Sequence, residues 1–280
     1  RMGVLSPKER ARLDKAGRLG VAKKPDEAMK VYREVFGNEP PWGKWAEAYY
    51  ETQAASTGGR QTTLTQLRAL SAREPDNDVY RMWLAKTLSY EPKTRMEALG
   101  LLESIRDSGS VEQARTIWRQ TLVWEKENPA ALPSMEAYNK RYPDRELQES
   151  LTRLRSERAR VIQEGERQRG FDALKTRDMT TAQQKFEDVL KRAPKDVGAL
   201  VGLGFVRLDQ KRFTDALALF DQARTLAPQR ADVAEGYETA QYWSAMERGA
   251  ALESRDAAAA LAAYQMAQSV RPGEDGPTLA

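Results

Sequence analysis

The 280-residue sequence contains neither cysteine nor histidine. That double absence removes disulfides, thiolate nucleophiles, Cys/His zinc sites and histidine-based catalytic triads. A chain without thiols fits an oxidising compartment, although the absence does not demand one. No apolar run approaches the ~18 residues that a membrane-spanning helix needs, so no membrane insertion by this segment is expected. Charge of one sign is also lacking. Forty-five Lys and Arg face 41 Asp and Glu, and the net +4 is too small among so many charges to require nucleic acid. What remains is a chain with 31% charged and 40% hydrophobic residues, a composition of folded, helix-rich proteins rather than disordered ones. No signal peptide stands at Arg1-Met2-Gly3, and the abrupt start reads as a fragment or processed form of something longer.

The most ordered stretch runs from Val197 to Arg230. Leu200, Leu203 and Gly204 are followed by Ala216, Phe220 and Ala223, and Pro228 closes it. Small residues at 216 and 223 let two helices cross closely, Phe220 fills the space between them, and Gly204 admits the partner. Pro228 ends the second helix because it has no N–H to donate and its ring clashes with the preceding turn. The pattern resembles the tetratricopeptide repeat, a helical hairpin of about 34 residues. The fold class expected is therefore all-α, a tetratricopeptide-repeat superhelix or α-solenoid, with inserted helices that are not repeats.

The same spacing recurs along the chain. Ala16, Ala28, Tyr32, Val35 and Pro40 form a first unit, with Lys23-Lys24-Pro25-Asp26 as its turn. Trp42, Trp45, Tyr49 and Tyr50, a break at Thr57-Gly58-Gly59, and Leu64, Leu67, Leu70 and Pro75 form a second. The third starts at an N-cap, Asn77 or Asp78, and carries Met82 and Ala85; Thr94 with Glu97 reads as a capping box opening its second helix. Ser110 stands where its closing proline would be. The fourth carries Trp118, Leu122, Ala131, Met135, Tyr138 and Pro143. Register is lost over Asp144 to Arg177 and resumes with Gly170, Ala182, Phe186, Val189 and Pro194. It slips again over Ala231 to Ser254, then resumes with Ala260, Tyr264, Ala267 and Pro272.

Three segments follow from this ruler: a first sub-array of about four repeats at 1–144, an unpaired linking helix or hinge at 145–162, and a second sub-array of about three repeats at 163–280. Hinge positions are expected at Arg145, Leu151, Arg158 and Ile162. Each unit buries little alone and leans on the next, so stability is nearest-neighbour. Gly273 to Ala280 reads as linker or the start of another module.

Inward positions on the first helices place Trp45, Tyr80, Trp83, Tyr90 and Trp124 on the concave face, with Phe171, Phe205 and Tyr242 in later units. Such rings can anchor a partner peptide or stack on sugar faces; packing against the neighbouring unit is the plainer use of each. Arg153, Arg155, Arg158 and Arg160 alternate with Glu149 and Glu157, which suits a solvated helix face better than an acidic partner. Gly198, Gly202 and Gly204 mimic a phosphate loop only superficially, since no strand precedes them and no Gly-Lys-Ser/Thr follows. Glu164 and Glu166 lie on an Arg-rich helix and do not read as an acid/base pair. We expect no enzyme, no catalytic residues, no cofactor and no metal.

Further stretches carry a narrower resemblance: Val31-Tyr32-Arg33-Glu34-Val35-Phe36-Gly37 with Pro40-Pro41 and Tyr49-Tyr50; Thr57-Gly58-Gly59-Arg60 with Leu67; Leu84-Ala85-Lys86-Thr87-Leu88-Ser89-Tyr90 with Thr94-Arg95-Met96-Glu97-Ala98; Trp118-Arg119-Gln120-Thr121-Leu122-Val123-Trp124; and Ala131-Leu132-Pro133. The ordered set resembles the N-terminal repeat region of the outer-membrane cellulose secretion component of bacterial cellulose synthase systems, from about Ser6 to Pro272. In that family a periplasmic repeat array precedes an outer-membrane β-barrel, and Gly273 to Ala280 shows no alternating strand pattern. The resemblance implies a periplasmic scaffold in cellulose export, coupling the inner-membrane synthase to an outer-membrane pore. Its partners would be other subunits of the complex, with the glucan chain and peptidoglycan as further candidates. Two alternatives stand beside it: a surface whose aromatics guide the glucan directly, and a generic peptide-binding adaptor. The adaptor needs convergent Lys, Asn and Arg on positions that are mainly apolar or aromatic here.

Overall fold

The computed structural model describes residues 5–37, 39–107 and 109–273. Described residues form fourteen α-helices and no strand. They are α1 (Pro7–Val21), α2 (Pro25–Phe36), α3 (Ala46–Ala55), α4 (Gly59–Arg73), α5 (Asp78–Ser89), α6 (Arg95–Ser104), α7 (Val111–Trp124), α8 (Leu132–Arg141), α9 (Arg145–Lys175), α10 (Met179–Arg192), α11 (Val197–Asp209), α12 (Phe213–Leu226), α13 (Ala231–Leu252) and α14 (Ala257–Val270). Short 3₁₀ turns at Gly43–Trp45, Pro92–Thr94 and Pro129–Ala131 precede α3, α6 and α8. Helices pack against their chain neighbours from α1 to α8 and from α10 to α14, and first helices also touch the first helix of the next hairpin, as α1 does α3, α3 does α5 and α5 does α7. That is the stacking of an α-solenoid. Arg1 to Val4 and the tail after Gly273, read above as a processed start and a linker, lie outside the described residues.

Local chemistry places the helix ends. Ser6 accepts from the Glu9 amide at 3.2 Å while Glu9 takes the Ser6 N–H at 2.7 Å, a reciprocal cap. Asn77, Asp178, Asp196 and Asp256 cap α5, α10, α11 and α14 through their side-chain oxygens. Pro40, Pro75, Pro143, Pro194, Pro228 and Pro272 each follow the end of a second helix, where a missing N–H and a rigid ring forbid another turn. Thr94 and Glu97 do not form the expected capping box. Pro92 starts a 3₁₀ turn there, so the Thr94 hydroxyl reaches back to the Leu88 carbonyl at 2.6 Å, and Glu97 pairs with Arg68 at 2.8 Å.

Three hairpin turns share a geometry that composition hides. Lys23, Arg177 and Lys211 have φ of 56°, 59° and 57°. Each sits just past a first helix, and the following N–H closes onto a carbonyl five residues back: Lys24 onto Leu19 at 3.0 Å, Asp178 onto Ala173 at 2.9 Å, Arg212 onto Arg207 at 2.8 Å. This is the left-handed C-terminal turn that glycine usually serves.

The chain separates into two compact units, 1–156 and 157–280. Unit 1 has one continuous core that includes Leu13, Tyr32, Leu67, Leu88, Trp118 and Tyr138. Unit 2 has a succession of small clusters, around Phe186, then Phe220, then Tyr242 with Ala267. In unit 2 two buried rings, Phe186 and Phe220, are each held between glycines. A Cβ at Gly170 would stand 2.7 Å from Phe186 and one at Gly202 only 2.2 Å; Gly204 and Gly236 stand the same way to Phe220, at 2.7 and 2.2 Å. Gly198 and Gly204 thus belong to helix α11 as well, and no phosphate loop exists there.

Helix α9 is longer than any repeat helix, at 31 residues. Its first turns are not unpaired: Leu147, Leu151 and Leu154 are buried in the unit 1 core, because their three- and four-residue spacing keeps one apolar stripe turned to it. Gly170, Phe171 and Ala173 serve unit 2. Between them, residues 155–162 are exposed at every position.

Candidate functional site

The five rings expected on one face occupy three different places. Trp45 is half-buried at the start of α3, and its indole N–H donates to Asp14 on α1 at 3.1 Å while Lys44 lies 4.8 Å over the ring. Tyr90 and Trp124 end α5 and α7 as a tilted pair 5.9 Å apart, exposed by 61% and 41%, with the Arg95 guanidinium 5.0 Å over Trp124. Tyr80 and Trp83 pair at 5.8 Å on the opening turns of α5, and Tyr50 lies 5.8 Å from Trp83 on its other side. In unit 2, Phe171 packs on Phe186 at 5.0 Å and Phe205 on Phe220 at 5.3 Å, and Tyr242 is buried. Those three rings serve packing.

Two open spaces define what unit 1 offers a ligand. The first is a groove of about 680 Å³ across α1, α3 and α5, walled by Gly17, Gly20 and Ala55 and reaching Tyr90. Its chemistry is a charged ladder. Lys86 bonds to Glu51 and lies 3.7 Å from Glu47, which in turn accepts from Gln113 on α7. Burial draws Lys86 down, but the hydrogen bond and charge of Glu51, with Glu47 behind, outweigh it and hold the ammonium above its ordinary pKa. Arg60 closes one side, donating to the Thr87 carbonyl at 2.8 Å and standing 3.3 Å from Glu91. The second space is a cleft in two lobes, about 320 and 650 Å³, which share Pro40, Pro41, Tyr50, Leu70 and Arg73. Tyr80, Trp83 and Trp42 line the smaller lobe. Burial first, then the neighbouring Tyr49 and Tyr80, push the Tyr50 hydroxyl up to about 12, so it stays a neutral phenol.

Sequence reasoning found Tyr80 and Trp83 but not their cleft partners Trp42, Tyr50 and Arg73, which arrive from three other segments. It also missed the ladder. The signal was present: Glu47 and Glu51 are one helical turn apart, and Lys86 follows Glu51 by 35 residues, about one repeat.

The remaining candidates are explained by pairing. Arg153 meets Glu127, and Arg155 meets Glu136, both at 2.7 Å; Arg160 meets Glu157 at 2.8 Å. Glu166 is bridged by Lys185 and Arg169 at 2.7 Å each, and the Lys185 hydrogen bond leads in lowering its pKa, the opposite of a general acid. Among the hinge positions, Leu151 is buried, whereas Arg145, Arg158 and Ile162 are exposed. No described helix is long and apolar enough to cross a membrane, and no cluster of acidic residues among those described could hold a metal ion.

Paired helices in a 34-residue register, closed by proline and stacked first helix on first helix, define a tetratricopeptide-repeat protein of the α-solenoid class. Residues 168–231 match the family model described as tetratricopeptide repeat. Homologues named cellulose synthase operon protein C extend the similarity over most of the chain. It is 31% identical over 280 residues to that protein of Xanthomonas axonopodis pv. citri (strain 306), covering 97% of this chain and 18% of the relative. It is 26% identical over 299 residues to that of Pseudomonas fluorescens (strain SBW25), covering 99% of this chain and 22% of the relative. The chain thus spans about a fifth of the length of these relatives. Among solved structures, the TPR2AB-domain:pHSP90-complex of yeast Sti1 aligns over 94% of this chain and 98% of that chain at 14% identity, with a TM-score of 0.32.

Proposed function

We propose that this chain is a periplasmic repeat scaffold for cellulose synthesis and export, and that it couples an inner-membrane synthase to an outer-membrane pore through protein–protein contacts. The observation that carries this reading is the near end-to-end similarity to proteins named cellulose synthase operon protein C. The structure supports a binding rather than a chemical role: Glu166 is bridged by Lys185 and Arg169, and the larger groove lies on stacked helices. The groove on α1, α3 and α5 suits a polypeptide partner, since the Lys86 ladder and Arg60 offer directional charged contacts at its floor while Tyr90 offers an exposed ring.

The linking stretch acts in this reading as a hinge between the two units. Residues 155–162 are exposed at every position, with Arg155 reaching Glu136 on α8, and a helix with so little tertiary support is marginal in water. The test replaces the matching segment of the Xanthomonas relative with this chain and measures secreted cellulose, alongside binding of the purified chain to each separately purified product of the same operon. Restored secretion and binding to at least one product are expected. A hybrid that secretes nothing, from a chain that binds none of them, sinks the reading.

A further inference from the structure

We propose that the two-lobed cleft crossed by Pro40 and Pro41 binds an unbranched, uncharged β-linked glucan, seating sugar rings against the Trp83–Tyr80 strip. This deepens the export reading and rests on it for the choice of polymer. The cleft lies apart from the charged groove, and its chemistry differs. Trp83 is flanked by Tyr50 and Tyr80 at 5.8 Å each, giving three rings in succession. Tyr50 is buried beneath, while Tyr80 and Trp83 keep part of their surface in the open. A pyranose ring has an apolar C–H face and a polar rim, and aromatic side chains receive that face well. Pro40 and Pro41 add two more ring surfaces and bring no N–H to the wall.

The polar groups of the lining are those a polyol needs. Gln66 and Thr62 stand in the larger lobe, and amide and hydroxyl groups can each donate to or accept from a sugar hydroxyl. Charge is answered locally. Arg73, common to both lobes, lies 3.3 Å from the Glu74 carboxylate, and the other two charged residues of the larger lobe, Arg33 and Glu39, are of opposite sign. An acidic peptide or an anionic polysaccharide would look for surplus positive charge here, whereas a neutral glucan does not. Both lobes fall in the ~300–1,000 Å³ range of ligand sites. The cleft also unites Trp42 with Tyr80 and Trp83, leaving Tyr90 to the other groove and its protein partner.

The experiment titrates the full chain with cellohexaose by calorimetry and by tryptophan emission, with maltohexaose as the α-linked neutral control. Saturable binding of cellohexaose is expected, with maltohexaose weaker by roughly tenfold or more. Tyr80→Ala should weaken cellohexaose by roughly tenfold, Tyr80→Phe should retain it, and Tyr90→Ala in the other groove should leave it unchanged. If Tyr80→Ala does not fold, Gln66→Ala, an exposed position on α4, serves in its place. Absence of saturable binding overturns the proposal, as does equal binding of maltohexaose, or a loss caused by Tyr90→Ala that Tyr80→Ala and Gln66→Ala do not cause. Cellohexaose that fails to bind a chain still held by an operon partner refutes the cleft alone. Cellohexaose bound by a chain that no partner recognises refutes the scaffold alone.

Discussion

At Gly202 the backbone of α11 passes so close to Phe186 that a methyl group would stand 2.2 Å from the ring, and Gly236 meets Phe220 at the same distance. Both rings are fully buried, so neither can swing aside. Gly236→Ala should therefore destabilise the protein by about 1–3 kcal/mol, read as a lower urea midpoint at unchanged slope. The same substitution at Gly165 should do the reverse. That residue is exposed inside α9 and a Cβ there meets nothing within 4 Å, so Gly165→Ala should raise stability by about 0.5–1 kcal/mol. Equal signs at the two positions would contradict the packing described. Asp78 is a third informative residue. It is buried, and it accepts from the backbone N–H groups of Arg106 at 2.7 Å and Asp107 at 2.6 Å and from Arg81. Burial pushes its carboxyl up, but the two amides and Arg81 outweigh that and leave it below the usual value. Its stabilising contribution is thus fully present above the unfolded pKa of about 3.9 and disappears as pH falls through the lower folded value. Asp78→Ala should be destabilised at neutral pH and show a shallower acid-induced loss below about pH 4 than the parent does; parallel acid curves would refute the assignment.

Helices were legible in the sequence wherever their limits arise from short-range sterics. Pro40, Pro143, Pro194, Pro228 and Pro272 announce the ends of α2, α8, α10, α12 and α14, and Ala216, Phe220 and Ala223 announce a close crossing. What stayed hidden depends on groups distant in the chain or on backbone states with no residue signature. Thr94 looks like a cap until Pro92 is seen to start its own turn. The two-lobed cleft draws on Trp42, Tyr50, Arg73 and Tyr80 from separate segments, and a repeat ruler says which residues lie on a first helix but not which opening they face. The left-handed turns at Lys23, Arg177 and Lys211 carry no glycine to mark them. They are also improvable. A side chain with a Cβ costs about 1 kcal/mol in that conformation, so Lys211→Gly should raise stability by up to about that amount, as measured by thermal melting. A fall would mean that the lysine side chain contributes more than its backbone costs.

On the scale of the whole molecule, unit 1 shares one continuous core while unit 2 is a succession of ring-centred clusters. Nearest-neighbour stacking leaves long-range cooperativity only as strong as the weakest junction. In the proposed hinge, residues 155–162, every position is exposed, and pairs such as Arg160 with Glu157 lie along the helix itself. Limited trypsin treatment of the native protein should therefore cut first after Arg158 or Arg160, and Gly165→Ala should slow it by firming the helix. A first cut inside α5 or α11 would place the soft point elsewhere.

Gly170 and Gly204 hold successive rings, Phe186 and Phe220, in the same way, and they are 34 positions apart. Removing 171–204 would splice Gly170 into the place of Gly204, facing Phe220, whose other contact at Gly236 would be untouched. The ring-and-glycine part of this seam would thus survive the loss of one whole period, whereas the Arg167–Asp196 pair would not, since Arg230 stands 34 positions beyond Asp196.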